Sequence, residues 1–204
     1  MANRGIPEMD DAERLRNGVW KAYSAVSRTP GGEHPFQVGR RFAEGLGYPS
    51  EVLENIPTVT VEAFTGVSNV SLFSELPVGA SVLDLGCGAG LDALLAGERV
   101  GSGGSVIGVD FSLAMLGRAR QGAKEAQLSH VQFCQGNAEE LPLCSQSIDA
   151  AMVNGIFNLN PARDAIFREL ARVVKPGGSV YAAELILRNA WPTAEKPSLD
   201  DWFA

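Results

Sequence analysis

The chain of 204 residues is long enough for one domain with a sizeable core, and its 45 % hydrophobic and 20 % charged residues form an ordinary globular balance. A net charge of −7 without a basic block argues against a nucleic-acid partner, because phosphate binding needs clustered Lys and Arg. No apolar run approaches the roughly 20 residues that span a bilayer, so no membrane segment is expected. Three cysteines without a CxxC pair predict no disulfide framework and favour a cytoplasmic location.

The first third of the chain has helical periodicity. Helices are predicted there over residues 11–27, 35–46 and 49–56. Residues 58–67 are bounded by proline and glycine and are predicted as a loop. Ser68 is a suitable N-cap for a further helix over 69–76. We interpret residues 1–67 as a helical lid that covers the domain that follows.

From residue 81 onward, strands and helices alternate. Strands are predicted at 81–85, 105–109, 130–135, 148–153 and 179–187, and helices at 91–100, 113–126 and 160–174. Ser112 is positioned to cap the second of these helices. Repeated strand–helix units require a mainly parallel sheet with helices on both faces. The pattern therefore predicts an α/β, Rossmann-like, doubly wound sheet in a three-layer sandwich, preceded by the N-terminal helical extension.

The predicted domain spans residues 68–190, and residues 191–204 are interpreted as a tail. The last strand would be an apolar edge of the sheet, and exposed edges of this kind are normally covered. We expect the tail, the N-terminal helices or a second copy in a homodimer to cover it.

The apolar run 82–85 ends in a turn dense in glycine, with Gly86, Gly88 and Gly90. Ligands of such sheets bind at the carboxyl ends of the strands, where the strand order reverses. Asp110 ends the second strand, 20 residues after Gly90, and is placed to accept hydrogen bonds from ribose hydroxyls. The loops after the third and fourth strands bring four more residues to this edge: Asn137, Ala138, Asn154 and Gly155.

Two cofactor classes share this layout. Dinucleotide sites use G-x-G-x-x-G, but the third glycine here comes one position early and Leu91 occupies the dinucleotide spacing. Asp84 precedes the turn, where a carboxylate would repel a pyrophosphate but suits a ligand with an ammonium group and no phosphates. These residues favour S-adenosylmethionine, and an NAD-dependent oxidoreductase is the alternative.

Four segments in order, VLDLGCGAG, VIGVDFSLAML, GNAEELPL and RVVKPGGSV, resemble the motifs of class I S-adenosylmethionine-dependent methyltransferases. The resemblance covers about residues 68–187. The segments GLGYPSEVLENIP and VNGIFNLNPARDAIFRELARVVKPGG are most similar to the arsenite methyltransferase group. The resemblance implies methyl transfer from S-adenosylmethionine to an acceptor. It also implies a further segment after the fifth strand, so we expect the chain to be truncated.

Arsenite enzymes bind trivalent arsenic through thiolates, as a soft acceptor requires. In that group a cysteine follows the asparagine after the fourth strand, where this chain has Gly155. A second cysteine position of the group is Val67 here, and Cys87, Cys134 and Cys144 match no arsenic-binding position. Arsenic methylation is therefore not expected, and the acceptor is predicted to be an unidentified small molecule. A degenerate relative that binds the cofactor without catalysis is the alternative.

Each candidate residue is expected to contact a particular part of the cofactor. Asp84 is predicted to bind the amino group of the donor, or else to cap the glycine turn as a buried acid. The turn itself contributes Gly86, Cys87 and Gly88. One of three apolar residues after the second strand is expected to cover the adenine: Phe111, Leu113 or Met115.

The remaining candidates lie on other segments. Asn137 is placed to meet the adenine amino group through its amide oxygen, with Ala138 beside it. Asn154 and Gly155 are expected beside the methionine part, although Asn154 would serve equally as a strand-end cap. By its resemblance to a tyrosine of the arsenite group, Tyr23 is predicted to contact the sulfonium with its ring face, or else to pack an N-terminal helix.

No metal site and no general base are predicted. His34 and His130 have no partners at metal-ligand spacing. A hydroxyl or amine acceptor would need a base, whereas an acceptor that is already nucleophilic would not.

Overall fold

A computed structural model describes residues 11–186 of the chain. Eight helices are formed within that range: α1 (Asp11–Arg28), α2 (Arg40–Gly45), α3 (Ser50–Glu54), α4 (Thr58–Val61), α5 (Val70–Phe73), α6 (Leu91–Val100), α7 (Leu113–Glu125) and α8 (Arg163–Val173). The five strands there are β1 (Ser81–Leu85), β2 (Ser105–Asp110), β3 (Val131–Gln135), β4 (Ile148–Asn154) and β5 (Val174–Ala183). None of the helices in this range is long and apolar enough to cross a membrane.

The five strands form one parallel sheet in the order β3-β2-β1-β4-β5. The chain winds outward from β1 through β2 to β3 and then returns to the other side of β1, so the strand order reverses between β1 and β4. At this reversal the crossover connections diverge to opposite faces and leave a crevice at the carboxyl ends of the strands. Asp84 is in register with Gly108 of β2 and Met152 of β4, at the centre of the sheet.

Both faces of the sheet are buried, as period-two alternation of side chains along each strand requires. Val82 packs in a cluster with Leu94 of α6 and with Tyr48 and Phe64 from the N-terminal part. Its neighbour Leu83 points to the opposite face, in a cluster with residues of α8. The predicted three-layer α/β sandwich is confirmed.

Three N-terminal predictions are wrong at least in part. The helix predicted from residue 35 begins only at Arg40, after Gly39 with φ +87°. The stretch 58–67 is predicted as a loop, but its first four residues form the helix α4, because Thr60 and Val61 are buried against the domain. Ser68 does not cap α5, which begins at Val70 with Asn69 at the N-cap position and no capping side-chain hydrogen bond. Ser68 instead uses its backbone atoms to bond Asn154.

Further along, the Ser112 cap is confirmed, since its hydroxyl accepts a hydrogen bond from the Met115 amide at 3.3 Å. The strand β5 begins at Val174, directly after α8, five residues before the predicted start, and a register shift accommodates the Lys-Pro-Gly-Gly stretch. β5 is an edge of the sheet and its Val180 is 44 % exposed. The predicted tail 191–204 lies outside the described residues, and a covering homodimer stays a prediction.

Candidate functional site

A cavity of ≈ 460 Å³ opens at the carboxyl ends of β1, β2 and β4. Its volume lies in the range of small-molecule and cofactor sites. One part of its wall comes from the glycine turn after β1 and from the ends of β2 and β3. The other part comes from α1, from residues 63–66 and from the loop after β4.

The glycine turn is held against β2 by its backbone. The amides of Gly86 and Cys87 both donate to the carbonyl oxygen of Val109, at 2.8 and 3.2 Å. Gly86 has φ +75°, and a Cβ built there would lie 2.3 Å from Cγ2 of Ile156, so this position accepts only glycine without rearrangement. The turn therefore exposes its main chain to the cavity.

Asp110 joins the turn to the start of α7. Its Oδ2 accepts a hydrogen bond from the amide of Gly88 at 2.9 Å, and its Oδ1 accepts one from the amide of Ser112 at 2.8 Å. Burial raises the pKa of the Asp110 carboxyl, and these backbone hydrogen bonds oppose that shift. The carboxylate lines the cavity at the end of β2, where a ribose-binding acid was predicted.

Asp84 is the least exposed of the three buried acids that line the cavity. Its side chain is 2 % exposed, lines the cavity, and has an Oδ2 without any hydrogen-bond partner among the described residues. Burial raises the pKa of this carboxyl well above its usual range, and the charges of Asp92 and Asp110 raise it further, against a hydrogen bond from the Ala93 amide. A cation beside Oδ2 would relieve both the desolvation and the repulsion between the acids.

Of the candidates near the adenine side, Phe111, Asn137 and Ala138 line the cavity. Phe111 is 38 % exposed, so its ring is available to a ligand. Met115 does not line the cavity, because α7 turns its side chain into a core cluster with Val26 of α1.

Tyr23 reaches the cavity from α1, and its ring lies 5.1 Å from that of Phe36. Burial raises the pKa of the Tyr23 hydroxyl above its ordinary range, and the charges of Asp110 and Glu184 add to this effect. The hydroxyl therefore stays protonated near neutral pH.

Asn154 fastens the loop before α5 to the end of β4. Its Oδ1 accepts hydrogen bonds from the amides of Val67 and Ser68 at 2.8 and 3.1 Å, and its Nδ2 donates to the Ser68 carbonyl at 2.7 Å. Gly155 follows on the cavity wall, where an added Cβ would lie 2.8 Å from Cγ1 of Val67. A side chain at position 155 would therefore meet Val67.

Sequence reasoning did not identify Asp92 as a functional residue. This buried acid in the first turn of α6 lines the cavity and accepts three hydrogen bonds. Its Oδ1 accepts from the Tyr48 hydroxyl at 2.6 Å and from the Ser71 amide at 3.1 Å, and its Oδ2 accepts from Nδ2 of Asn154 at 2.8 Å. An acid in a first helical turn is a common stabilising feature, so only its burial marks it out.

An ion pair also went unrecognised. Nη2 of Arg16 on α1 lies 3.0 Å from Oε1 of Glu139, in the loop after β3, and both residues line the cavity. No local pattern in the sequence connects these two residues, which are 123 positions apart.

The cysteines are free thiols, and only Cys87 of the three lines the cavity. Burial raises the pKa of the Cys87 thiol well above its usual range, and Asp110 and Asp84 raise it further, so the thiol is neutral. Among residues 11–186, no three His, Cys, Asp or Glu side chains are grouped in a way that would hold a metal ion.

The comparisons with known proteins agree with this geometry. The family described as "Methyltransferase domain" matches residues 77–199. An arsenite methyltransferase of Halobacterium salinarum is 32 % identical over 150 residues, which are 74 % of this chain and 38 % of the relative. A demethylmenaquinone methyltransferase of Oceanobacillus iheyensis is 40 % identical over 111 residues, 54 % of this chain and 46 % of the relative. The chain thus spans less than half the length of these relatives.

Among solved structures, an arsenic(III) S-adenosylmethionine methyltransferase from Chlamydomonas reinhardtii superposes with a TM-score of 0.60 at 32 % identity, covering 76 % of this chain and 51 % of that one. An S-adenosylmethionine-dependent methyltransferase from Aquifex aeolicus shares the fold, with a TM-score of 0.53 at 21 % identity, and covers 74 % of this chain and 81 % of that one. The chain belongs to the family of class I S-adenosylmethionine-dependent methyltransferase domains and is similar to parts of the arsenite methyltransferases.

Proposed function

We propose that the cavity binds S-adenosylmethionine and that the chain transfers its methyl group to a small-molecule acceptor. The observation that carries the proposal is the unpartnered Oδ2 of Asp84, buried at the cavity wall beside a main-chain glycine turn. A buried carboxylate of this kind is costly unless a cation or donor meets it, and the ammonium group of the donor is such a cation.

The other residues of this side fit the rest of the donor. Asp110 uses one lone pair of each oxygen on backbone amides and keeps others for ribose hydroxyls. Phe111 offers a ring face to the adenine, and Asn137 and Ala138 lie on the same part of the wall. Gly155 and Tyr23 are assigned to the methionine end. Cys87 is expected to contact the donor only through its backbone, since its thiol is neutral.

Bound S-adenosylmethionine supplies a methyl group on a positively charged sulfur, which is reactive without help from a metal. The residues of the chain then have to hold the acceptor in line and exclude water. The described lining residues include no evident free base, because Asp92 is engaged by three donors and the pKa of Tyr23 is raised. The proposed reaction therefore suits an acceptor that is nucleophilic on its own.

Arsenite is disfavoured as the acceptor, although several relatives bear that name. A soft trivalent metalloid needs several thiolates, and the described lining residues contain one cysteine, which is neutral. Val67 and Gly155 stand at two of the positions where the resemblance to the arsenite group implies cysteines.

Isothermal titration calorimetry with S-adenosylmethionine and with NAD tests the donor assignment. We expect binding of S-adenosylmethionine and of its demethylated product, S-adenosylhomocysteine. Tight NAD binding without S-adenosylmethionine binding would refute the proposal. Incubation with methyl-labelled donor and an acceptor panel tests transfer, and donor binding without turnover on any acceptor would favour the non-catalytic alternative.

A further inference from the structure

The cavity carries an excess of negative charge that no positive side chain balances among the described residues. Three acids line its buried part, Asp84, Asp92 and Asp110, with exposed fractions of 2, 5 and 7 %. Arg16 is the one basic residue among the described lining residues, and its half-exposed side chain is already paired with Glu139 at 3.0 Å. The buried wall of the cavity is therefore anionic.

The hydrogen bonds of two of these acids come from neutral donors. Asp110 accepts from two backbone amides. Asp92 accepts from the Tyr48 hydroxyl and the Ser71 amide through Oδ1, and from Nδ2 of Asn154 through Oδ2. Because both oxygens of each side chain accept, each is a carboxylate, and neutral donors leave its charge in place. The start of α6 beside Asp92 supplies about half a positive charge, which offsets only part of the excess.

Other groups of the cavity wall respond to this charge. Burial raises the pKa of the Asp84 carboxyl, and the charges of Asp92 and Asp110 raise it further. The pKa values of the Cys87 thiol and the Tyr23 hydroxyl are raised first by burial and then by Asp110. The buried Oδ2 of Asp84 has no hydrogen-bond partner among the described residues. The negative potential therefore extends across the cavity and favours a positively charged ligand.

This potential distinguishes the proposed donor from its product. S-adenosylmethionine carries a positive charge on sulfur in addition to its ammonium and carboxylate groups, and S-adenosylhomocysteine lacks that charge. In the transfer, the methyl–sulfur bond breaks with its electron pair going to sulfur, and a lone pair of the acceptor forms the new bond to the methyl carbon. The sulfur is then neutral, so its attraction to the acids is lost.

Asp92 is the acid whose charge is left to act on the sulfur. Asp84 is assigned to the ammonium group and Asp110 to the ribose. Asp92 bonds Asn154, which directly precedes Gly155 at the proposed methionine end. Because three donors already engage Asp92, its effect would come from its charge and not from a direct bond. At an effective dielectric constant of about 20, one unit charge about 10 Å from another changes an affinity by roughly tenfold.

We propose that Asp92 makes the cavity selective for the positively charged donor over its uncharged product, which is bound about tenfold or more weakly and is readily released. This inference rests on the proposed function. Asp92 is a specificity-determining residue in this account and not a catalytic one, because it acts at a distance from the reacting atoms.

Calorimetry on the full chain at about pH 8 tests the selectivity with three ligands. They are S-adenosylmethionine, S-adenosylhomocysteine and sinefungin, which carries an amino group in place of the methylated sulfur. We expect the two ligands with the additional positive charge to bind roughly tenfold or more tightly than S-adenosylhomocysteine. The ratio should persist in about 0.5 M NaCl, because buried charges are screened much less than exposed ones.

A variant assigns the selectivity to Asp92. Asp92→Asn keeps the shape of the side chain and removes its charge, so the preference for S-adenosylmethionine over S-adenosylhomocysteine should fall below about threefold. Tyr48→Phe is the matched control for a lost hydrogen bond, since it removes a donor to Asp92 without removing a charge. Asp149→Asn is the control for a lost acid, since Asp149 does not line the cavity. Both controls should keep the wild-type ratio, whereas a merely structural role of Asp92 would lower both affinities together.

Equal affinities of the wild-type chain for S-adenosylmethionine and S-adenosylhomocysteine would overturn the inference and leave the proposed donor site intact. The same holds for sinefungin binding as weakly as S-adenosylhomocysteine, for an unchanged ratio in Asp92→Asn, and for a ratio that is lost equally in either control. Failure of the wild-type chain to bind any of the three ligands would instead refute the proposed function, and the inference with it.

Discussion

The two sides of the cavity are built from different kinds of contact. The proposed donor side consists of a main-chain turn and two buried acids near the carboxyl ends of β1 and β2, and each of these features is marked by a short local pattern in the sequence. The opposite wall of the cavity, formed by α1, residues 63–66 and the loop after β4, consists of side chains from distant segments. Asp92 and Asn154, which are bonded beside it, are 62 positions apart in the sequence.

This difference has a consequence for function. A site formed by main-chain atoms tolerates side-chain changes around it and keeps the same ligand. A wall of side chains from separate segments changes its shape and polarity whenever one of those side chains is replaced. Substitutions on that wall are therefore expected to affect the acceptor more than the proposed donor.

The largest effect is expected from Asp84→Asn, which keeps the shape of the donor side and removes its charge. Loss of a charge-assisted bond to an ammonium group should weaken S-adenosylhomocysteine binding by about a hundredfold in calorimetry. Asp149→Asn is the control, because Asp149 pairs with Lys175 at 2.6 Å and does not line the cavity. Donor affinity retained within about twofold in Asp84→Asn would show that the unpaired oxygen does not meet the ammonium group.

The next effect concerns the junction of the two sides, where Asp92 bonds Asn154. In Asp92→Asn, an NH2 group replaces one of the two acceptor oxygens. It would face either Nδ2 of Asn154 or the Tyr48 hydroxyl and the Ser71 amide, all of which are donors. One hydrogen bond at least is lost, so the free energy of unfolding should fall by about 2 kcal/mol. Urea denaturation measures this change.

The swap of both residues provides the control for that prediction. In Asp92→Asn with Asn154→Asp, a donor and an acceptor face each other again, and part of the lost stability should return. Purely additive destabilisation of the double variant would mean that the Asp92–Asn154 bond does not couple the two segments.

The location of Asp84 and Asp110 at the cavity wall could be predicted because the signals are local. The bounds of β1 and α6 and the Ser112 cap follow from apolar runs, glycines and a capping serine within a few residues. Asp84 and Asp110 follow from the place where each strand ends.

The features that were predicted wrongly depend on tertiary packing, which no local sequence pattern encodes. Met115 was a candidate cofactor contact, but the rotation of α7 turns it toward Val26 instead. α4 forms in a proline-bounded stretch because Thr60 and Val61 are buried there. β5 starts before its predicted position because pairing with Ile148 holds Val174 in the sheet ahead of the Lys-Pro-Gly-Gly stretch.

The two sides should also differ in how pH affects them. Asp84, whose pKa is raised, lies on the donor side, so stability and donor affinity should depend on pH through that side. Burial raises this pKa, so the folded, cofactor-free chain holds the proton more tightly than the unfolded chain does. Stability due to Asp84 is therefore lost as pH rises from about 4 through the raised pKa. As the pH rises across that window, Asp84 loses its proton and becomes able to pair with the cationic donor. The affinity for the donor should therefore rise by up to about tenfold per pH unit.

Urea midpoints and calorimetry at a series of pH values measure both trends, and Asp84→Asn should flatten them. The contribution of Glu169 to stability has the opposite pH dependence. A hydrogen bond from Arg172 lowers the pKa of this carboxyl to about 2, so the contribution is lost as the pH falls from 4.5 to about 2. A wild-type donor affinity independent of pH would contradict a proton on Asp84.

The smallest effect is expected from the Arg16–Glu139 pair, which joins α1 to the loop after β3 across the cavity wall. Because Arg16 is half exposed, the pair contributes less than about 1 kcal/mol, and Glu139→Gln should speed S-adenosylhomocysteine dissociation by about threefold at low salt. The difference should vanish at high salt, where exposed ion pairs are screened. Glu44→Gln, which breaks the Arg40–Glu44 pair away from the cavity, should leave the stopped-flow rate unchanged. The charge swap Arg16→Glu with Glu139→Arg should restore the slow rate, and if it does not, α1 is held over the donor by its apolar contacts alone.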